Sequence, residues 1–264
     1  MESLPRLKMP PLEYYRPNTL AEALTLLQHG VPLAGGTSLT ANRRTLQAVV
    51  DLQDLGLDSL EISETGFRFG ATLSLQALVD AAERLPPGLV RACRLEAGWN
   101  IRNQATLGGT LLSGDGRSPL LTALLAMGAE LESAQGNSRM PLAELLSLRA
   151  ARSPIGLITA IHARRPDRLA YEQVARSPAD LPQICAAAAY FGKSDELVVA
   201  LGGYGQGPLL VHHATGGPPA TLESMVQAAQ QAYSKAGDAW ASAEFRTAIA
   251  GTLVRRVARE VMPL

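Results

Sequence analysis

Ile101-Arg102-Asn103-Gln104-Ala105-Thr106-Leu107-Gly108-Gly109-Thr110-Leu111-Leu112-Ser113-Gly114-Asp115 is the stretch on which the reading of this chain turns. It holds adjacent glycines with threonines on either side, and a carboxylate follows. Paired glycines let a backbone pass close to a ligand and take torsions that other residues resist. Successive free N–H groups in such a loop form a concave nest for an anion such as a diphosphate. A stretch of the same make-up lies upstream, Pro32-Leu33-Ala34-Gly35-Gly36-Thr37-Ser38-Leu39. Each opens on small or apolar residues, then runs Gly-Gly-Thr. Two readings follow: two loops closing on one phosphate-rich ligand, or two tight turns between packed elements.

The chain has 264 residues, enough for one large domain or two modest ones. Basic and acidic residues number 24 each and aromatics are 5%, so no nucleic acid or anionic membrane is expected as a partner. Cys93 and Cys185 stand far apart, without neighbours that would complete a metal site. They read as half-buried thiols in a reducing compartment, not as a disulfide framework or cluster ligands. No apolar run reaches membrane-spanning length, and Met1 to Pro11 lacks the apolar core of a signal peptide. The expectation is a cytoplasmic chain with no transmembrane segment.

Working outward along the chain, Pro10-Pro11 and Pro17 predict an extended start. Thr19 and Glu22 form a capping box for a helix with Leu20, Ala23, Leu24 and Leu27 on one face. Pro32 to Ala34 reads as a short buried strand entering the first glycine loop, Asn42-Arg43-Arg44 as polar, and Gln47 to Leu52 as a second strand. Leu60 to Ile62 and Phe67 to Ala71 alternate as a hairpin. Ser74 caps a helix that ends before Pro86-Pro87, and Gly88 to Trp99 is predicted helical, feeding the stretch quoted first as a loop. Pro119 suits the first turn of a helix through Met127, followed by a strand at Ala129 to Glu132 and a turn at Gln135 to Ser138. Ile155 to Ala163 reads as a strand, broken at Arg164 to Asp167. Leu181 to Phe191 is predicted helical and Glu196 to Leu201 a buried strand entering Gly202-Gly203-Tyr204-Gly205. Gly216-Gly217-Pro218-Pro219 reads as a linker, with amphipathic helices near Leu222–Ala236 and Ala243–Val261.

Ala34-Gly35-Gly36-Thr37-Ser38-Leu39 together with Ile101 to Gly109 resembles the FAD-binding medium subunit of molybdenum hydroxylases, the group of xanthine dehydrogenase and carbon monoxide dehydrogenase. Tyr171 to Leu181 and Ala200-Leu201-Gly202-Gly203 extend the likeness to nearly the whole chain. The resemblance implies an α+β fold: a PCMH-type two-part FAD-binding domain, then a smaller C-terminal α+β domain like that of the carbon monoxide dehydrogenase flavoprotein. The expected bounds are 1–165 for the first domain, with its N-terminal βαβ part about 1–55 and its second part about 56–165, and 166–264 for the C-terminal one. It implies that Ala34, Gly35, Gly36, Thr37, Ser38 and Leu39 form one diphosphate loop, and Thr106, Leu107, Gly108, Gly109 and Thr110 the other. Backbone N–H groups and hydroxyls would hold the anion there without a lysine. Ser113 and Asp115 would reach the ribityl chain or the ring; Asp115 also reads as a turn or helix-capping residue.

The implied role is electron relay. A molybdopterin-containing large subunit oxidises substrate, a 2Fe-2S small subunit passes electrons to FAD here, and an external acceptor (quinone, NAD or oxygen) takes them. No residue reads as an acid, base or nucleophile, so no catalytic side chain and no metal ligand is expected. The chain departs from the family pattern at Gly116, where proline is usual, and at Pro119, where an acid is usual. Those departures motivate an alternative, a member that has lost FAD and serves assembly. Arg117 would meet the diphosphate or point to water. Trp99 reads as a packing residue or a ring neighbour, Tyr204 as a ring neighbour or a loop anchor. His212-His213 on a strand would point to opposite faces, against a shared metal.

Overall fold

The computed structural model describes residues 12–40, 45–136, 139–213 and 221–263. The readings at Pro10-Pro11, Asn42 to Arg44, Asn137-Ser138 and Gly216 to Pro219 lie outside the described residues.

The N-terminal unit is β1 (Glu13–Tyr15), α1 (Leu20–Leu26), β2 (Val31–Leu33) and β3 (Ala48–Asp51). Its sheet is parallel throughout, in the order β1-β3-β2. The Thr19 hydroxyl accepts the Glu22 N–H at 3.3 Å and starts α1. Glu22 reaches back to the Asn18 N–H at 3.2 Å, one residue before the partner a strict capping box would use. Ala23 and Val50 pack with Leu157 of the next unit. β3 is buried because it is the middle strand; β2 is only half-buried, contrary to the expectation, because it is an edge strand.

The second unit is an antiparallel sheet of β4 (Leu60–Ile62), β5 (Gly66–Gly70), β6 (Glu130–Ser133), β7 (Met140–Pro141) and β8 (Ile158–Arg164), ordered β4-β5-β8-β6-β7. Helices α2 (Leu75–Asp80), α3 (Pro87–Glu96), α4 (Trp99–Gln104), α5 (Leu107–Ser113), α6 (Pro119–Ala126) and α7 (Leu142–Ala150) go with it. The expected helix to Trp99 stops at Glu96, since Ala97 and Gly98 are extended. The expected loop from Ile101 to Asp115 is instead α4 and α5, joined by extended Ala105 and Thr106. The Thr106 hydroxyl caps α5 by accepting the Gly109 N–H at 3.2 Å, which turns the second Gly-Gly into the first turn of a helix. The pair β7 and α7 was not foreseen. α6 is apolar except for Thr122, whose hydroxyl donates to the Ser118 carbonyl, and is buried along its whole length, the mark of a helix with neighbours on every side.

The C-terminal unit is an antiparallel sheet of β9 (Arg168–Val174), β10 (Ile184–Phe191), β11 (Glu196–Gly202) and β12 (Leu209–His213), ordered β12-β11-β10-β9. The predicted helix over Leu181 to Phe191 is strand β10. Alanine is a strong helix former, but tertiary context decides here. β10 pairs on both edges, and both of its faces are covered. Cys185, Ala187, Ala189 and Phe191 join the core around α6, while Ile184, Ala186 and Ala188 meet the helices α8 (Leu222–Ala232) and α9 (Ala243–Val261). A central strand between two helical layers takes small side chains on both faces. Cys93 and Cys185 are fully buried, deeper than expected. Burial pushes the Cys93 thiol up to about 12 and the Cys185 thiol up to about 11.

Polar contacts add to the core that the last two units share. Arg164 on β8 donates to Glu196 on β11 through both Nη atoms, at 2.8 and 2.5 Å, with its guanidinium over Phe191. Gly116 donates to the Gly205 carbonyl at 2.9 Å and accepts the Gly203 N–H at 2.5 Å. A Cβ at position 116 would sit 1.9 Å from the Tyr204 oxygen. The departure from proline at 116 thus has a local cause: two backbones meet there, and the Gly116 amide is a donor that proline lacks.

Candidate functional site

The two glycine stretches face each other across one cleft between the N-terminal and second units. Its volume is about 430 Å³, within the usual size of a ligand cleft. Ala34, Gly35, Gly36, Thr37, Ser38 and Leu39 line it from one side, and Thr106, Gly108, Gly109 and Ser113 from the other. Gly35 lies directly on the end of α4: a Cβ there would be 1.7 Å from the Gln104 carbonyl oxygen. Gly36 has φ +69°, a torsion that favours glycine. The Ser38 hydroxyl donates across the cleft to Ser113 Oγ at 2.9 Å, and Ser113 in turn donates to the Gly109 carbonyl at 2.8 Å.

The two glycine pairs do different work. At the first, the N–H groups of Gly35, Gly36, Thr37 and Ser38 donate to no described residue and remain available to a ligand. At the second, every N–H from Leu107 to Thr110 is already used: Leu107 donates to Leu73, Gly108 to Ala71, Gly109 to Thr106 Oγ1 and Thr110 to the Thr106 carbonyl. The second pair is therefore not the nest that the sequence suggested. Gly108 is needed for close packing, since a Cβ there would be 2.9 Å from the Ala71 oxygen. Gly109 has only Thr106 Oγ1 near its Cβ position, so it leaves the cleft floor open.

Three of the anticipated site residues do not line the cleft. Leu107 and Thr110 are buried behind it, Thr110 donating its hydroxyl to the Thr106 carbonyl at 2.9 Å. Asp115 lies beyond the end of α5, where it accepts the Arg117 N–H at 2.8 Å and pairs with the Arg117 guanidinium at 3.3 Å. Arg117 stacks on Trp240, 4.5 Å from the ring centre. Tyr204 packs edge-on to Tyr233 and anchors a loop, while Trp99 is 65% exposed on α4, outside the core.

Sequence reasoning missed other walls. Gln135, Ile155, Gly156, Leu157 and Ile158 come from the turn after β6 and the approach to β8. They carry no motif, and only folding brings them beside Gly35. Arg149 of α7 was also missed. Its guanidinium donates to the Leu111 carbonyl at 2.7 Å and to the Gly114 carbonyl, closing the C-terminal end of α5 with a cation. Desolvation holds it below the ordinary arginine value, offset in part by the Asp115 charge.

Among the described residues no charged side chain lines the cleft. Four free backbone donors and a set of hydroxyls suit a diphosphate whose charge is delocalised over several oxygens. The aliphatic walls suit the flat faces of a base. The residues present therefore fit FAD. Among the described residues no group of three or more His, Cys, Asp or Glu is placed to hold a metal ion.

Comparison with known proteins agrees with this geometry. Residues 10–163 match the family described as the FAD binding domain in molybdopterin dehydrogenase, and residues 169–261 the carbon monoxide dehydrogenase flavoprotein C-terminal domain. The carbon monoxide dehydrogenase medium chain of Afipia carboxidovorans is 30% identical over 280 residues, covering 92% of this chain and 94% of that one. The uncharacterized protein YgfM of Escherichia coli strain K12 is 32% identical over 207 residues, covering 76% and 77%. A crystal structure of cyanide-inactivated Cu,Mo-CO dehydrogenase superposes with TM-score 0.77 at 27% identity, covering 96% of this chain and 98% of that one. Quinoline 2-oxidoreductase from Pseudomonas putida 86 shares the fold, with TM-score 0.78 at 20% identity over 97% and 98%.

Proposed function

The chain belongs to the FAD-binding subunits of the molybdopterin dehydrogenases, and from that premise we propose that it is the electron-relay subunit of a molybdenum hydroxylase. In this reading a 2Fe-2S subunit delivers electrons that a molybdopterin-containing subunit has drawn from substrate. An external acceptor (a quinone, NAD or oxygen) removes them. The one observation that carries the reading is the row of unused donors from Gly35 to Ser38, set opposite Thr106, Gly109 and Ser113 across the cleft.

Bound FAD would supply the redox chemistry. This chain's residues hold and orient it. The N–H groups of Gly35 to Ser38, with the Thr37 and Ser38 hydroxyls, would hold the diphosphate. Ser113 offers a hydroxyl further along, and Arg149 keeps the end of α5 in place behind it. Among the described lining residues no side chain is placed to act as a general acid or base.

The test is spectroscopic and biochemical. Purified protein should be yellow, release FAD on denaturation, and be bleached by electrons from its reduced iron–sulfur partner. A folded chain that stays colourless with added FAD overturns the proposal. So does a flavin that its partner cannot reduce.

A further inference from the structure

The two ends of the cleft are chemically unlike. Toward Ser38 and Ser113 its walls carry hydroxyls; toward the turn after β6 they are Val31, Pro32, Leu52, Ile155 and Leu157, all aliphatic. Among the described residues one polar side chain interrupts the aliphatic end, the carboxamide of Gln135. It makes no hydrogen bond to a described residue. It rests on the backbone of Gly156: a Cβ built at 156 would lie 2.4 Å from Oε1 and 3.8 Å from Nε2. The seat of the amide thus depends on position 156 having no side chain.

Gln135 is exposed, so solvent serves its amide in the free chain. A ligand that covers this end takes that solvent away. It must then offer the amide a matched donor and acceptor, or leave it unpaired at a cost. Adenine meets both demands. Its faces suit aliphatic walls, and its edge places an amino donor beside a ring-nitrogen acceptor, which one carboxamide satisfies with two bonds. On the N7 edge guanine presents a carbonyl oxygen where adenine has the amino group, so both of its groups accept and the carboxamide oxygen finds no donor whichever way the amide is turned. A mononucleotide would leave the whole end uncovered.

We propose that Gln135, seated by Gly156, reads the adenine of the bound dinucleotide and selects FAD over flavin mononucleotide and over flavin guanine dinucleotide. The proposal rests on the cleft being the FAD site.

The test uses the full chain, stripped of flavin and titrated by flavin fluorescence with FAD, flavin mononucleotide and flavin guanine dinucleotide. Gln135→Leu should weaken FAD about tenfold, leave the mononucleotide within about twofold, and bring the two dinucleotides close to equal affinity. Gly156→Ala keeps the amide but displaces it. The added methyl meets only the far end of a flexible side chain, so the fold should hold while discrimination falls in the same way. If both variants bind FAD and discriminate like the unaltered chain, this inference alone is overturned. Equal losses of FAD and mononucleotide overturn it too. An unaltered chain that takes up none of the three overturns the FAD site itself, and this inference with it.

Discussion

Gly35→Ala is the substitution that probes the cleft most directly. The new Cβ would lie 1.7 Å from the Gln104 carbonyl oxygen and 2.6 Å from its carbon. Both are backbone atoms, so no rotamer change relieves the overlap. Either the Gly35–Ser38 loop withdraws from α4 or α4 itself moves. Overpacking of this kind costs about 1–3 kcal/mol. For a chain of this size that lowers Tm by roughly 2–12 °C. Binding should suffer more. Under the proposed function, withdrawal takes the free donors of Gly35 to Ser38 off a charged diphosphate, and each such bond contributes about 1.5–3 kcal/mol. Losing two of them weakens FAD by about two to four decades in Kd. Differential scanning calorimetry of the flavin-free protein measures the first effect, and fluorescence titration with FAD the second. A variant that melts with the unaltered chain and binds FAD within about twofold of it would refute the placement of this loop.

Three further outcomes are expected. Burial pushes the Glu96 carboxyl up to about 7, against the pull of the Leu120 N–H and the Ser118 hydroxyl, with the Asp115 charge adding to the rise. A raised carboxyl binds its proton more tightly when folded, so between its ordinary range and 7 stability falls as pH rises. Glu96→Gln should therefore match the unaltered chain near pH 5 and exceed it at pH 8, by on the order of 2–3 kcal/mol in denaturant melts; a difference independent of pH would contradict this. Arg246 is fully buried and donates to the Gln183, Ala236 and Ala241 carbonyls and to both oxygens of Asp238. Arg246→Met should cost about 3–5 kcal/mol and shift Trp240 fluorescence, because the same loop loses its anchor. Cys93 and Cys185, buried with raised thiols, should not react with a disulfide reagent at pH 8 until denaturant is added; fast reaction of the native chain would show that the core around α6 opens.

Local sequence determined most of the elements and the family. Capping hydroxyls at Thr19, Ser74, Ser118, Thr221 and Ser242 mark helix starts because the hydroxyl sits within a few residues of the N–H it accepts. The two Gly-Gly-Thr motifs are legible because close backbone approach excludes a Cβ wherever it occurs. Three things were settled only in three dimensions. β10 is a strand because β9 and β11 pair with it and helices cover both its faces, which no run of alanines reveals. The donors left free between the two glycine motifs are those of Gly35–Ser38 and not those of Leu107–Thr110, because Ala71, Leu73 and Thr106 occupy the donors of α5. The aliphatic end of the cleft is assembled from Val31, Leu52, Gln135 and Ile155 to Leu157, segments far apart in the chain. Periodicity and capping act over a turn or two of chain; which donors stay free and which walls face each other depends on long-range packing, and that exists only once the units have closed on one another.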